Sequence, residues 1–216
     1  MTDMVKPYVV GIDVGGTNTA FGIVDANGKV IASSSIKTQQ FGADLDAYIN
    51  ELHSALSKLI AENGGIDKIK GIGVGAPNAN YYTGNIENAA NLPWKGTIEF
   101  AKILTNKFGV PCTLTNDANA ATIGEMMYGA AKGMKDFIMI TLGTGVGSGI
   151  VCNGKLVYGH DGNAGELGHV IVRRGGRQCG CGQKGCLETY TSATGIIRSA
   201  QELLQASNEP SVLREI

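Results

Sequence analysis

Apolar and polar positions fall into two recurring blocks along this chain. Tyr8 to Asp13 is a β-rich run, Gly15-Gly16-Thr17-Asn18 turns the chain, and Ala20 to Val24 forms a second run. Asn27-Gly28 is a hairpin signal, and a third strand is expected from Lys29 to about Ile36. Leu45, Tyr48, Ile49, Leu52, Leu56, Leu59 and Ile60 then fall on one face at helical spacing, and Asn63-Gly64 closes that helix. Ile69 to Gly75 reads as a buried strand ending in a Gly-Ala-Pro turn. Thr97 is expected to cap a helix through Phe108, with Gly109 as its terminator. Cys112 to Thr115 is a short strand, and Asp117 opens a helix to about Ala131.

The opening pattern then repeats. Phe137 to Leu142 is a strand, Gly143-Thr144-Gly145-Val146-Gly147 a turn, Ser148 to Cys152 a strand, Asn153-Gly154 a hairpin signal, and Lys155 to Tyr158 a third strand. Aligning Asp13-Val-Gly-Gly-Thr with Thr141-Leu-Gly-Thr-Gly brings the two Asn-Gly turns within about two residues of register, as duplicated units require. The expected organisation is two α/β lobes around a cleft, residues 1–131 and 132–216. The second is interrupted by a cysteine-rich segment and resumes in a helix from about Leu187. It lacks the later strands of the first, so the chain is expected to be a fragment of a longer protein.

Composition narrows the function classes. Hydrophobic residues make up 43% and charged residues 17% of 216, ordinary for a globular protein, and the net charge of −1 gives no electrostatic case for nucleic acid or an anionic membrane surface. No apolar run approaches the ~20 residues that span a bilayer, and no signal-peptide core is present. Five cysteines, three of them clustered, argue against a disulfide framework and for a reducing cytoplasm. Glycine is the outlier at 32 residues, gathered into short motifs that read as tight turns.

The candidate chemistry sits in those motifs. Glycine-rich turns let backbone N–H groups approach phosphate oxygens, with Thr17, Asn18 and Thr144 adding side-chain donors beside Gly15, Gly16, Gly143 and Gly145. Asp13 stands where a carboxylate holds Mg²⁺ beside phosphates, or where it caps the turn. Asp117 either caps its helix or accepts a proton from a substrate hydroxyl, with Asn116 orienting that substrate. His169, Cys179, Cys181 and Cys186 have the number and type of ligand that a structural Zn²⁺ takes. Glu166 and Glu188 flank them as spare hydrogen-bond acceptors. Asn78, Glu87, Asn88 and Asn91 crowd a loop ending at Trp94, which suits either a sugar site or a solvated loop packed by one Trp.

These residues resemble the ROK family of sugar kinases and repressors, within the actin-like and hexokinase-like ATPase superfamily. The most specific element is Glu166-Leu-Gly-His169 followed by Cys179-Gly-Cys181-Gly-Gln-Lys-Gly-Cys186-Leu-Glu188; Ile12 to Thr17 and Leu142 to Gly147 match the two phosphate motifs. The resemblance implies two ribonuclease-H-like lobes, the second incomplete here and carrying a zinc-binding insertion. It implies Asp117 as general base, and Asn78, Asn116, Glu166, His169 and Glu188 as sugar contacts. ATP and Mg²⁺ would sit on Asp13 and the two glycine turns, and zinc on His169, Cys179, Cys181 and Cys186. A homodimer is common in the family. Gly75-Ala-Pro-Asn78 departs from the pattern, which commonly has a second glycine after the proline. The family's adenosine motif lies further along than this chain reaches.

The implied function is ATP-dependent phosphorylation of a hexose, foremost glucose to glucose 6-phosphate. N-acetylmannosamine, N-acetylglucosamine, fructose and allose stay open as substrates, as does a non-catalytic sugar-binding regulator or module. The family's repressors carry a helix-turn-helix ahead of the first phosphate motif. Only seven residues precede Tyr8, so that build is not expected.

Overall fold

The structure is a computed structural model and describes residues 6–215. Residues 1–5 and 216, the outer ends of the two expected lobes, lie outside the described residues.

β1 (Tyr8–Val14), β2 (Asn18–Asp25) and β3 (Val30–Lys37) form an antiparallel meander, with Ile12 opposite Phe21 and Val14 opposite Thr19. α1 (Leu45–Glu62) follows, its first turn satisfied by the Asp44 side chain accepting from Ala47 N–H. It buries Tyr48, Ile49, Leu52, Leu56 and Ile60, the stripe the periodicity predicts. β4 (Ile69–Ala76) then pairs parallel to β1. A small antiparallel sheet of β5 (Ala79–Asn80), β6 (Asn85–Glu87) and β7 (Thr97–Ile98) intervenes. α2 (Phe100–Phe108) ends at Gly109 in the left-handed conformation (φ 67°), as expected for a helix terminator. β8 (Cys112–Asn116) joins β4 in parallel to complete a five-stranded sheet, order β3-β2-β1-β4-β8. Its buried face carries Val10, Ile12, Val14, Phe21, Ile23, Ile72, Val74 and Leu114, covered by α1 and α2 in one apolar core.

α3 (Asp117–Tyr128) runs on from β8, and the second meander follows as β9 (Phe137–Leu142), β10 (Val146–Cys152) and β11 (Lys155–Leu156). α3 packs against β10 where Gly147 and Gly149 carry no side chain, with Ala118 and Thr122 filling the space. A one-turn helix, α4 (Glu188–Thr191), leads into α5 (Ala193–Ala206). The fold is thus mixed α/β, as expected. Among the described residues no helix is long and apolar enough to cross a membrane.

Three elements differ from expectation, the first being β11, which ends at Leu156 and not at Tyr158. Thr97 does not cap α2: it pairs with Glu87 in the small sheet, and Glu99 is the capping residue, without a side-chain bond. α3 stops at Tyr128, before Ala131, because Gly129 is extended and the Glu125 carboxylate accepts from Ala130 N–H at 2.7 Å, closing the helix end early.

Candidate active site

Asn116 and Asp117 stand at the junction of β8 and α3, and their side chains divide the work. The Asn116 Oδ1 is the helix cap, accepting from Ala118 N–H at 2.9 Å and Asn119 N–H at 3.4 Å. Asp117 is therefore not the cap; it lies in the first turn, with Oδ1 2.8 Å from Ala118 N. The cap leaves the Asn116 amide NH₂ free to donate, and Asp117 keeps its second oxygen.

That junction floors a cleft of about 460 Å³. Its walls bring together most of the residues expected to act: Asn78, Asn116, Asp117, Gly143, Thr144, Gly145, Glu166, His169 and Glu188, with Asn91 added. Asn78 is held with φ 51° by its Nδ2 donating to the Glu87 carbonyl (3.2 Å), which leaves its Oδ1 for another donor. An adjoining cavity of about 420 Å³ shares Asp117 and Thr141 with the cleft and adds Asp13. Gly15, Gly16, Thr17 and Asn18 line neither cavity. Trp94, at the end of the amide-rich loop, is buried at 4% exposure against the Tyr48 ring, 4.3 Å between centroids. It packs the loop; Asn78 and Asn91 are the loop residues that line the cleft.

The cleft and the adjoining cavity are acidic, and their carboxyl groups feel it. Burial raises Asp13 above the usual carboxylate range, and the charge of Asp117 raises it further. Glu166 is also raised, chiefly by burial; His169 pulls it down, and Asp117 and Glu188 push it up. Such a site favours cations and hydroxyl donors over anions unless a metal intervenes.

The second glycine turn is tied to the far wall. Glu188 Oε2 accepts from Val146 N–H at 2.9 Å, and it does so across Gly145, where a Cβ would sit 2.6 Å from that oxygen. Beside it, Ser148 donates from its hydroxyl to the Gly165 carbonyl and accepts from Leu167 N–H at 3.2 Å. That buried serine fixes the loop carrying Glu166. Its only sequence signal is a hydroxyl within an apolar strand.

His169, Cys179, Cys181 and Cys186 place four ligand atoms within 4.8 Å of one another. Cys179 Sγ lies 3.6 Å from His169 Nδ1, and Cys181 Sγ 3.6 Å from Cys186 Sγ. Corners of a zinc tetrahedron with bonds of ~2.0–2.3 Å lie about 3.5–3.8 Å apart, so donor type and spacing fit Zn²⁺. As free thiols they oppose one another: burial, then Cys181 and Cys179, pushes Cys186 up, while the Gln183 N–H lowers Cys181. A bound cation removes that conflict by taking the thiolate forms. With Nδ1 turned to the sulfurs, the other ring nitrogen of His169 is held in a fixed direction.

Outside the cleft and the adjoining cavity, tyrosines tie the 80–82 segment to the 158–161 segment. Tyr81 stacks on Tyr158 with centroids 4.2 Å apart, the Tyr82 hydroxyl donates to the Gly159 carbonyl (2.9 Å), and Asn80 Nδ2 donates to the Asp161 carbonyl (3.1 Å).

Known proteins resemble this chain over most of its length. A glucokinase of Halalkalibacterium halodurans is 40% identical over 207 residues, covering 90% of this chain and 59% of the relative. The crystal structure of a ROK family glucokinase from Streptomyces griseus in complex with glucose and AMPPNP superposes with a TM-score of 0.76 at 32% identity, over 93% of this chain and 62% of that one. A xylose repressor of Bacillus spizizenii is 30% identical over 196 residues, 90% of this chain and half of its own length. The chain thus spans less than two thirds of these relatives. Residues 9–216 match the model of the ROK family, and the chain belongs to that family.

Proposed function

We propose that the full-length protein transfers the terminal phosphoryl group of ATP to a hexose hydroxyl, foremost converting glucose to glucose 6-phosphate. The observation that carries this reading is the position of Asp117. It stands where a cleft lined by hydrogen-bonding side chains meets the cavity that holds Asp13. In this reading Asn78, Asn116, Glu166, His169 and Glu188 hold the sugar, and Asp117 accepts the proton of the attacking hydroxyl. The ATP phosphates lie along Gly143-Thr144-Gly145 and the first glycine turn, Gly15-Gly16-Thr17-Asn18, with Asp13 binding Mg²⁺. Zinc on His169, Cys179, Cys181 and Cys186 holds the cysteine segment in shape and orients the imidazole. The two lobes of this proposal are residues 1–131 and 132–216, in a cytoplasmic enzyme that pairs as a homodimer.

The likeness to glucokinases at 32–40% identity supports the sugar kinase reading. The likeness to xylose repressors supports a second one, a sugar-responsive regulator that binds without turnover. ADP release from Mg-ATP, measured across glucose, mannose, fructose, allose and the N-acetylated hexosamines, separates them. Release stimulated by glucose well above the others is expected. Intact sugar binding with no stimulated release would favour the regulator and remove the role of Asp117.

A further inference from the structure

Arg177 lines neither the cleft nor the adjoining cavity, yet the elements behind the second glycine turn converge on its side chain. The side chain is only 9% exposed. Nη1 donates to the carbonyls of Thr189 (2.7 Å) and Gly195 (3.1 Å), and Nη2 meets the Glu202 carboxylate at 2.6 Å. The guanidinium carbon lies 4.6 Å from the centre of the Tyr190 ring, and the Arg177 N–H donates to the Tyr190 hydroxyl (3.0 Å). The Arg177 carbonyl accepts from Gly185 N–H at 2.8 Å, inside the segment that carries the three cysteines. One residue is therefore bonded through its main chain to the cysteine segment and through its fork to α4 and α5.

Those two helices send out the braces of the second turn. Glu188, next to Thr189, accepts from Val146 N–H, and Ala193 N–H, two residues before Gly195, donates to the Gly143 carbonyl at 2.9 Å. We propose that Arg177 is a positioning residue that couples the cysteine segment to the 143–147 turn by fixing α4 and the start of α5. Lysine cannot replace it, because a single ammonium cannot reach two carbonyls and a carboxylate in one plane. The coupling runs in both directions: a loosened clamp frees the turn and also loosens the cysteines' grip on metal. The proposal stands without the phosphoryl-transfer reading, since neither metal retention nor amide exchange requires catalysis.

The test uses the full-length, zinc-loaded protein and the variants Arg177→Met, Arg177→Lys and Glu202→Gln. Two quantities are read well below the melting temperature: the rate of zinc transfer to a chromogenic chelator, and hydrogen exchange of the 143–147 and 14–19 amides. Arg177→Met is expected to speed zinc transfer by about tenfold, the lower end of the scale for residues that support a metal's ligands, and to speed 143–147 exchange with 14–19 unchanged. Arg177→Lys should behave like Arg177→Met. Glu202→Gln, at a half-exposed partner, should move both quantities the same way by a smaller factor, and it decides the matter if the arginine variants do not fold. Unchanged 143–147 exchange, rescue by lysine, or equal loss of protection at both turns would each overturn the proposal.

Discussion

The turn between β1 and β2 is held by one buried threonine. The Thr38 hydroxyl donates to the Gly15 carbonyl (2.7 Å), its N–H donates to the Thr17 carbonyl (3.0 Å), and Thr19 and the Tyr48 hydroxyl extend the chain of bonds into the core. Burial pushes Tyr48 up to about 12, so these groups are neutral at working pH. The turn between β9 and β10 has the same glycine pattern and a different support: the Glu188 carboxylate on Val146 N–H and the start of α5 on the Gly143 carbonyl. The two meanders share the strand and turn pattern, but each brace comes from sequence outside that pattern. The first brace is part of the apolar core; the second comes from the helices that follow the cysteine segment.

The strongest test of the comparison concerns the residue between the two repeats. Asp13 and Thr141 occupy equivalent positions, and both line the cavity that contains Asp117. If the two units converge on one base, Asp117→Ala should lower kcat by about 10²–10⁴-fold while sugar affinity stays within a small factor. Near-normal turnover in a steady-state assay would end that role for Asp117.

A second, smaller effect separates the braces. A Cβ at Gly16 would sit 2.8 Å from the main-chain oxygen of Asn91, while one at Gly145 would meet the tip of the Glu188 side chain. A backbone carbonyl cannot swing aside; a carboxylate can. Gly16→Ala should therefore cost about 1–3 kcal/mol of stability, of the order of other overpacked sites. Gly145→Ala should leave the melting temperature nearly unchanged and instead free the Val146 N–H, seen as faster exchange of that amide. Equal melting losses in the two variants would mean that the braces are alike.

Much of this architecture is legible in the amino-acid sequence. Period-2 and period-3.6 patterns report burial on one face, so both meanders and the α1 stripe read directly. The cluster of His169, Cys179, Cys181 and Cys186 is legible because residue identity and spacing are local. What escapes depends on partners far along the chain. Asn-Gly predicts a two-residue hairpin, and Asn153-Gly154 forms one, with φ 52° and 71° between paired Cys152 and Lys155. Asn27-Gly28 instead sits in a wider loop, because the Asp25 side chain accepts from Asn27 N–H and Lys29 N–H. Trp94, among polar amides, has the local signature of a sugar platform, yet its ring is spent on Tyr48 in the core. Ser148 and Arg177 give no periodic signal, because their partners at Gly165, Thr189, Gly195 and Glu202 are set by the path of the chain.

The smallest effect expected is one of pH, and it distinguishes the equivalent positions Asp13 and Thr141. Burial, then the charge of Asp117, holds the Asp13 carboxyl above its ordinary value in the folded protein. Below the ordinary value both folded and unfolded chains are protonated and nothing is lost. As pH rises past it, the unfolded chain releases its proton first, and folding loses stability until the folded carboxyl also ionises. The carboxylate therefore costs stability at neutral pH. Asp13→Asn should raise the melting temperature at pH 7, and the gain should vanish near pH 3. Asp13 is only half buried, so water screens the effect to below about 1 kcal/mol, a shift of up to about 3 °C for a chain of this size. Thr141→Val has no titrating group to remove and should shift the two melting temperatures equally. A lower melting temperature for Asp13→Asn at pH 7 would mean that donor hydrogen bonds to the carboxylate outweigh its burial, and that the acid end of the first repeat is a structural anchor.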